Sequence, residues 1–161
     1  MTNHRYFFLF FFALIALNVS AFDAKVVAIK DGDTIVVFDG ASSTTIRLAA
    51  IDAPEKSQAF GQAAKKAISS LCYNKIAKVS PVDTDRYGRT IADVFCDNKN
   101  AGQTMVLDGF AWVYDKYVSN HGFYYDAQNE AKSRKRGLWA DTNPTPPWEY
   151  RKTTKMPYQR N

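Results

Sequence analysis

The first half of the chain alternates short runs of apolar and β-branched residues with turn-forming residues. Five runs have the length of strands, and they cover residues 25–29, 34–38, 44–51, 76–82 and 90–95. Asp31-Gly32-Asp33 separates the first run from the second, and Asp39-Gly40 separates the second from the third. Runs bounded by Gly and Asp in this way are typical of β-strands joined by tight turns. The pattern predicts a three-stranded meander followed by two further strands.

Helical spacing begins after residue 60. Small and apolar residues recur at three- and four-residue intervals in 61–71, which predicts a helix with one buried face. They are Ala64, Ala67, Ile68 and Leu71. Two further helices are predicted at 103–107 and 124–136, the second ending at Gly137 as a C-cap. The proline-rich segment 143–148 is predicted to be extended along the surface.

This order of elements restricts the fold class. Five short strands, with a helix between the third and fourth and helices at the C-terminus, suit a small closed barrel. We therefore predict an α+β fold, a five-stranded OB-fold β-barrel with about three packed α-helices. The length of 161 residues favours one domain, and the sequence contains no internal repeat.

The N-terminal segment has the features of a secretory signal peptide. An unbroken apolar run of 12 residues, 6–17, follows Arg5 and precedes Val19-Ser20-Ala21. A membrane span needs about 20 apolar residues, so the run suits a leader that is cleaved after Ala21. The alternative is an uncleaved anchor. The predicted organisation is a signal peptide at 1–21, a folded domain at 22–142 and a proline-rich basic tail at 143–161. The mature protein would be secreted or periplasmic and free of the membrane.

Positive charge is concentrated at the C-terminus. The chain has 21 Lys and Arg against 16 Asp and Glu, a net charge of +5. Seven of the basic residues but only two of the acidic ones fall in 134–161. A basic tail of this kind suits a polyanionic partner. A solvated, frayed C-terminus explains the charge equally well.

Composition limits the kind of metal site. With two histidines and two cysteines, the chain is too poor in both for a Cys/His zinc cluster. Any metal would be held by oxygen, and Asp33 and Asp52, each next to a predicted strand end, are the candidates. Their carboxylates suit a hard cation such as Ca²⁺, which takes about 6–8 oxygen ligands. Two carboxylates leave most coordination positions of the cation to other ligands, as in a catalytic metal site. The alternative for Asp31-Gly32-Asp33 is a plain turn.

Two arginines stand where a guanidinium needs an anionic partner. Arg47 interrupts an apolar run, and Arg89 follows a tight turn at Tyr87-Gly88. A guanidinium matches phosphate oxygens as a bidentate fork. Two arginines, a hard cation and the free carboxylate of Glu55 supply what phosphodiester hydrolysis requires, which is charge neutralisation and activation of water. An internal salt bridge is the alternative for each arginine.

The two cysteines follow a predicted helix and a predicted strand. They are Cys72 and Cys96. An even count in an oxidising compartment favours a disulfide between them. Two buried free thiols are the alternative.

Three short segments carry most of these charged residues. They are Asp31-Gly32-Asp33-Thr34, residues 46–55 ending in Asp52-Ala53-Pro54-Glu55, and Asp85-Arg86-Tyr87-Gly88-Arg89. In this order and spacing they resemble the thermonuclease family, the SNase-like nucleases, over residues 24–140. The resemblance implies an OB-fold barrel and Ca²⁺-dependent cleavage of DNA and RNA.

The resemblance also implies a role for each site residue. Asp33 and Asp52 would bind Ca²⁺ together with the backbone carbonyl of Ala53, a position that is often Thr in the family. Glu55 would act as the general base or position the attacking water. Arg47 and Arg89 would hold the phosphate and stabilise its transition state. Four residues correspond to positions that contact bases or a neighbouring phosphate: Arg86, Tyr87, Tyr114 and Tyr117.

Two other functions fit part of the pattern. A catalytically silent OB-fold module that binds nucleic acid would explain the barrel, but such modules typically lose the carboxylates and arginines that this chain keeps. A Ca²⁺-binding envelope protein would explain the acidic residues but not Arg89 at a turn. We therefore expect a secreted endonuclease that acts as a monomer.

Overall fold

A closed barrel of five strands forms the body of the protein. The computed structural model describes residues 20–115 and 121–155. Its strands are β1 (Phe22–Ile29), β2 (Thr34–Phe38), β3 (Ser43–Leu48), β4 (Ile51–Asp52), β5 (Ile76–Thr84), β6 (Thr90–Cys96), β7 (Lys99–Asn100) and β8 (Trp112–Val113). The neighbours in the barrel run in the order β3-β2-β1-β5-β6, and a parallel pairing of β3 with β6 closes the ring. The predicted five-stranded OB-fold barrel is confirmed.

Alternating side chains of these strands fill the interior. The fully buried ones include Val26, Val37, Ile46, Val79 and Val94. They lie on the inward face because successive side chains of a strand point to opposite sides. The closing registers pair Ile46 with Thr90, Arg47 with Ile91 and Leu48 with Ala92.

Four α-helices pack around the barrel in the described part of the chain. They are α1 (Gly61–Cys72), α2 (Ala101–Leu107), α3 (Tyr124–Ser133) and α4 (Pro147–Lys155), with a 3₁₀ turn at Gly137–Ala140 before the last. On α1, Ala64 and Ile68 are fully buried, as the spacing predicts. Among the described helices, none has the length and apolar character needed to cross a membrane.

The third strand is shorter than its sequence pattern predicts. The apolar run 44–51 is broken because β3 ends at Leu48 and Ala50 adopts a left-handed backbone conformation with φ of 60°. This conformation costs an alanine about 1–2 kcal/mol. The turn lets Ile51–Asp52 pair with Trp112–Val113 of β8, so tertiary pairing overrides the local strand preference.

The C-terminal segment folds onto the body, contrary to one expectation. The prediction that 143–148 is extended is wrong at its end, because α4 begins at Pro147. Proline is tolerated in the first turn of a helix, where its missing N–H would have no partner. The N–H groups of Glu149 and Tyr150 each donate to the Pro146 carbonyl at 3.0 Å. Trp148 then packs edge-on against Trp112, with ring centroids 5.7 Å apart.

A disulfide joins Cys72, at the end of α1, to Cys96, at the end of β6. Both side chains are fully buried in the core. The bridge connects residues 24 positions apart in sequence and fastens α1 to the barrel.

Replacing both cysteines by alanine should lower the free energy of unfolding by about 3 kcal/mol, because the unfolded chain then gains the entropy of an open loop. Urea unfolding of the variant and of the oxidised protein measures this difference. Thiol labelling of the denatured, unreduced protein supplies the control, and two labels per chain would contradict the bridge.

Candidate active site

A polar cleft of about 380 Å³ opens at one end of the barrel. The β1–β2 turn, the segment after β3, the β5–β6 turn and α4 all contribute to its lining. Its charged residues are five acids and four arginines among those described: Asp31, Asp33, Asp52, Glu55, Asp85, Arg47, Arg86, Arg89 and Arg151.

The β1–β2 turn holds Asp33 in a closely packed environment. Asp33 Oδ2 accepts a hydrogen bond from the Ala53 N–H (2.8 Å), and Oδ1 accepts one from the Thr34 hydroxyl (3.0 Å). Gly32 permits this approach, since a Cβ there would lie 2.7 Å from the Ala53 Cβ and 2.8 Å from the Ala64 Cβ. Asp33 is only 6% exposed, so its carboxylate lies in the interior of the protein and not on the surface of this turn.

Arg47 links the two buried carboxylates. Its Nη2 lies 3.3 Å from Asp33 Oδ2 and 3.2 Å from Asp52 Oδ1, while Nη1 donates to the Leu48 carbonyl (2.9 Å). The side chains of Arg47 and Asp52 are 13% and 4% exposed. Charges this well buried need partners of opposite sign. Arg47 therefore forms the internal salt bridge that the sequence left open as an alternative. Because the same nitrogen contacts both acids, Asp33 and Asp52 lie close together.

Two carboxyls of the cleft are partly desolvated, and their pKa values are raised chiefly for that reason. Burial raises the pKa of Asp52, although hydrogen bonds from Arg151 act in the opposite direction. Burial, followed by the charge of Asp33, raises the pKa of Asp31 to about 6. A cation among these acids would relieve both the desolvation cost and the repulsion.

Glu55 is presented to the cleft by a tight loop. Its N–H donates to Gln58 Oε1 (3.1 Å), and Gly61 approaches so closely that a Cβ there would lie 1.9 Å from the Glu55 carbonyl oxygen. This packing fixes the backbone while the side chain stays 40% exposed. A fixed, accessible carboxylate beside Asp52 has the placement that proton transfer requires.

Arg89 is oriented by Asp85 across the β5–β6 turn. Asp85 Oδ1 accepts from the Arg89 N–H (3.0 Å), and Oδ2 accepts from Nε (2.6 Å). Burial opposes the charge, but these hydrogen bonds outweigh it and lower the pKa of Asp85. The terminal nitrogens of Arg89 donate to no residue in the described part of the chain, so they can receive a phosphate.

The predicted substrate-binding residues are divided between the turn and the cleft wall. Tyr87 is 69% exposed, and the Arg86 guanidinium lies 4.8 Å from its ring centroid. Tyr114 lines the cleft, with its ring centroid 5.8 Å from that of Trp148. Tyr117 lies outside the described residues. Exposed aromatic rings beside arginines are suited to stacking on bases.

Arg151 is a cleft residue that sequence reasoning missed. It lies on α4 and donates to Asp52 Oδ2 (2.7 Å) and Glu55 Oε1 (2.8 Å). The hydrogen bond with Asp52, and then that with Glu55, raise the pKa of Arg151. Because it is 99 positions from Asp52 in sequence, no local motif connects the two. The only available signal was the basic character of the tail.

Comparison with known proteins agrees with this geometry. The family described as staphylococcal nuclease homologue matches residues 45–141. The chain belongs to this family. An “Uncharacterized endonuclease” of Haemophilus influenzae is 43% identical over 149 residues, which cover 92% of this chain and 83% of that protein. A “Micrococcal nuclease” of Shigella flexneri is 38% identical over 144 residues, or 83% of each chain.

Family membership establishes the class of reaction. The chain is a hydrolase that acts on phosphodiester bonds, and nucleic acid is its class of substrate. The family match contains Arg47, Asp52, Glu55 and Arg89 and begins after Asp33. In the structure, Asp33 contacts the matched region through the Ala53 N–H and through Arg47.

The close packing around Gly32 predicts that a larger residue at this position lowers the stability of the protein. Gly32→Ala should lower the free energy of unfolding by about 1–3 kcal/mol, because the added methyl group overpacks the contact with Ala53 and Ala64. Gly122→Ala is the matched control, since a Cβ at Gly122 meets nothing within 4 Å. Urea unfolding measures both variants. Equal stabilities would contradict the close packing of this turn.

Proposed function

We propose that this chain is a secreted, Ca²⁺-dependent endonuclease that cleaves both DNA and RNA. One observation carries the proposal: two buried carboxylates converge on Arg47, beside the accessible Glu55 and Arg89, whose terminal nitrogens donate to no described residue. This combination pairs a cation site with phosphate-binding groups and a base. Hydrolysis of a phosphodiester needs all three functions in one place.

The donor set is compatible with Ca²⁺. Asp33 and Asp52 offer hard carboxylate oxygens, and the Ala53 carbonyl accepts no hydrogen bond from the described residues. Ca²⁺ prefers oxygen ligands, and the missing Thr side chain at position 53 does not affect a backbone carbonyl. Among the described residues, no group of three or more His, Cys, Asp or Glu side chains is placed to hold a metal ion. Water and substrate oxygens would complete the coordination, as in an open catalytic site.

The side chains of the cleft divide the chemical work. When bound, Ca²⁺ neutralises charge on the phosphoryl group and makes water easier to deprotonate. Glu55 takes the proton from the attacking water or orients it. Arg47 and Arg89 donate to the phosphoryl oxygens, on which negative charge accumulates in the transition state. Arg47 is anchored on a barrel strand, and Asp85 orients Arg89. Both guanidinium groups therefore lose little conformational entropy when they bind the phosphate.

Substrate binding is proposed to rely on charge and stacking. Arg86 and Tyr87 form an exposed cationic and aromatic pair, and Tyr114 lies on the cleft wall. Stacking is tolerant of base and sugar because every base has a π-face. This supports activity on both DNA and RNA.

Secretion is supported by the N-terminal sequence and by the cysteines. The proposed signal peptide, 1–21, ends where β1 begins at Phe22. The buried disulfide suits an oxidising compartment outside the cytoplasm. We further propose that the mature protein acts as a monomer.

Removal of Ca²⁺ should abolish cleavage and leave the fold intact, because the barrel and its disulfide do not depend on the metal. Digestion of plasmid DNA and of single-stranded RNA in Ca²⁺ or excess chelator tests this, with circular dichroism as the control for folding. Mg²⁺ should support little turnover, since it requires octahedral geometry at about 2.0–2.1 Å. Full activity in chelator would contradict the metal assignment.

Glu55→Gln should lower kcat by about 10²–10⁴, the usual contribution of a general base, and change nucleotide binding little. Glu130→Gln is the control, because Glu130 is a partly exposed acid on α3 that pairs with Arg134 and Arg136. Steady-state digestion and nucleotide binding are measured together. Unchanged turnover in Glu55→Gln would remove this residue from the mechanism.

A further inference from the structure

Arg151 forms a bidentate contact with one proposed metal ligand and reaches the proposed base as well. Its Nη2 donates to Asp52 Oδ2 (2.7 Å), and its Nη1 donates to Asp52 Oδ1 (3.2 Å) and Glu55 Oε1 (2.8 Å). The Asp52 side chain is 4% exposed, so these bonds act at a desolvated carboxylate. Paired, charge-assisted hydrogen bonds of this kind are the strong class.

The helix that carries Arg151 is docked on the body by several contacts. Trp148 packs against both Trp112 and Tyr114, with ring centroids 5.7 and 5.8 Å away. The Tyr150 hydroxyl lies 3.0 Å from the Ser57 hydroxyl, in the loop that follows Glu55. Arg151 is therefore presented to the cleft by an ordered element, which keeps its local concentration near the carboxylates high.

The two arginines that contact Asp52 differ in how easily they can leave it. Arg47 lies on a closing strand of the barrel, is 13% exposed and also contacts Asp33. Arg151 lies on a nine-residue helix, and its side chain is 34% exposed. A cation that approaches Asp52 would displace the more exposed guanidinium at the lower cost.

We propose that Arg151 competes with Ca²⁺ for Asp52 and thereby sets the Ca²⁺ concentration at which the enzyme becomes active. The proposal rests on the proposed function, since it takes Asp52 as a Ca²⁺ ligand. A guanidinium that occupies both oxygens of Asp52 and a divalent cation on the same carboxylate repel each other. Ca²⁺ binding therefore requires Arg151 to release Asp52, which also frees Glu55. Arg151 acts through these two carboxylates as a positioning residue.

Calorimetric titration of Ca²⁺ into Arg151→Gln tests the proposal without reference to activity. The Kd should fall about 10-fold relative to the wild type, because the competing charge is gone. Lys152→Gln is the matched control, with the same charge change one residue along α4, where Lys152 pairs with Glu149. It should leave the Kd within about twofold of the wild type, as expected of an exposed pair.

Arg151→Lys separates charge from a structural effect on α4. Lysine keeps the positive charge, so its Kd should stay within about threefold of the wild type. If Arg151→Gln acted only by loosening α4, the lysine variant, which also loses the fork, would bind Ca²⁺ as tightly as the glutamine variant. That result would overturn the proposed competition between Arg151 and Ca²⁺. A Kd of Arg151→Gln that is equal to or larger than the Kd of Lys152→Gln would overturn it as well.

Asp52→Asn distinguishes failure of this inference from failure of the proposed Ca²⁺ site. Binding that is lost in Asp52→Asn but unaffected by Arg151→Gln would overturn only the role of Arg151. Absence of Ca²⁺ binding in both the wild type and Arg151→Gln would overturn the metal assignment together with the inference. Tryptophan fluorescence, to which Trp148 of α4 contributes together with Trp112 and Trp139, checks that each variant keeps this helix docked.

Discussion

Two buried carboxylates, Asp33 and Asp52, require positive charge, and much of the architecture follows from that requirement. Arg47 meets part of it, and Arg47 lies on β3, the strand whose pairing with β6 closes the barrel. Barrel closure and neutralisation of the two acids are therefore coupled. A guanidinium without these partners, or the acids without the guanidinium, would carry a large desolvation cost.

Tight backbone packing gives the charged groups their fixed positions. Gly32 allows the β1–β2 turn to contact Ala53, and Gly61 allows α1 to contact the Glu55 loop. Ala50, in a left-handed conformation, turns the chain so that Asp52 comes back towards Arg47. Each constraint is local and small in energy, but together they preorganise the site, which is the main physical requirement for electrostatic catalysis.

The fold and the central charged residues could be predicted because their signals are local and because the three short segments that carry them together resemble a known family. Asp33, Asp52 and Glu55 adjoin predicted strand ends, and the run 34–38 matches β2 to the residue. Arg151 and α4 could not be predicted in the same way. The contact between Arg151 and Asp52 spans 99 positions, and the prolines before α4 suggested an extended chain. The end of the third strand before Ala49-Ala50 could not be predicted for a similar reason. The pairing of β4 with β8 determines where that strand ends, and the local sequence pattern does not.

Asp52 is the residue on which the account depends most, since it contacts Arg47 and Arg151 and adjoins the proposed base. Single-turnover cleavage of a short DNA duplex by Asp52→Asn, with Ca²⁺ binding measured on the same protein, tests the account directly. We expect a folded protein that binds no Ca²⁺ and cleaves at least about 10³-fold more slowly, as when preorganised charge stabilisation is removed. An Asp52→Asn protein that binds Ca²⁺ and cleaves at the wild-type rate would contradict the account.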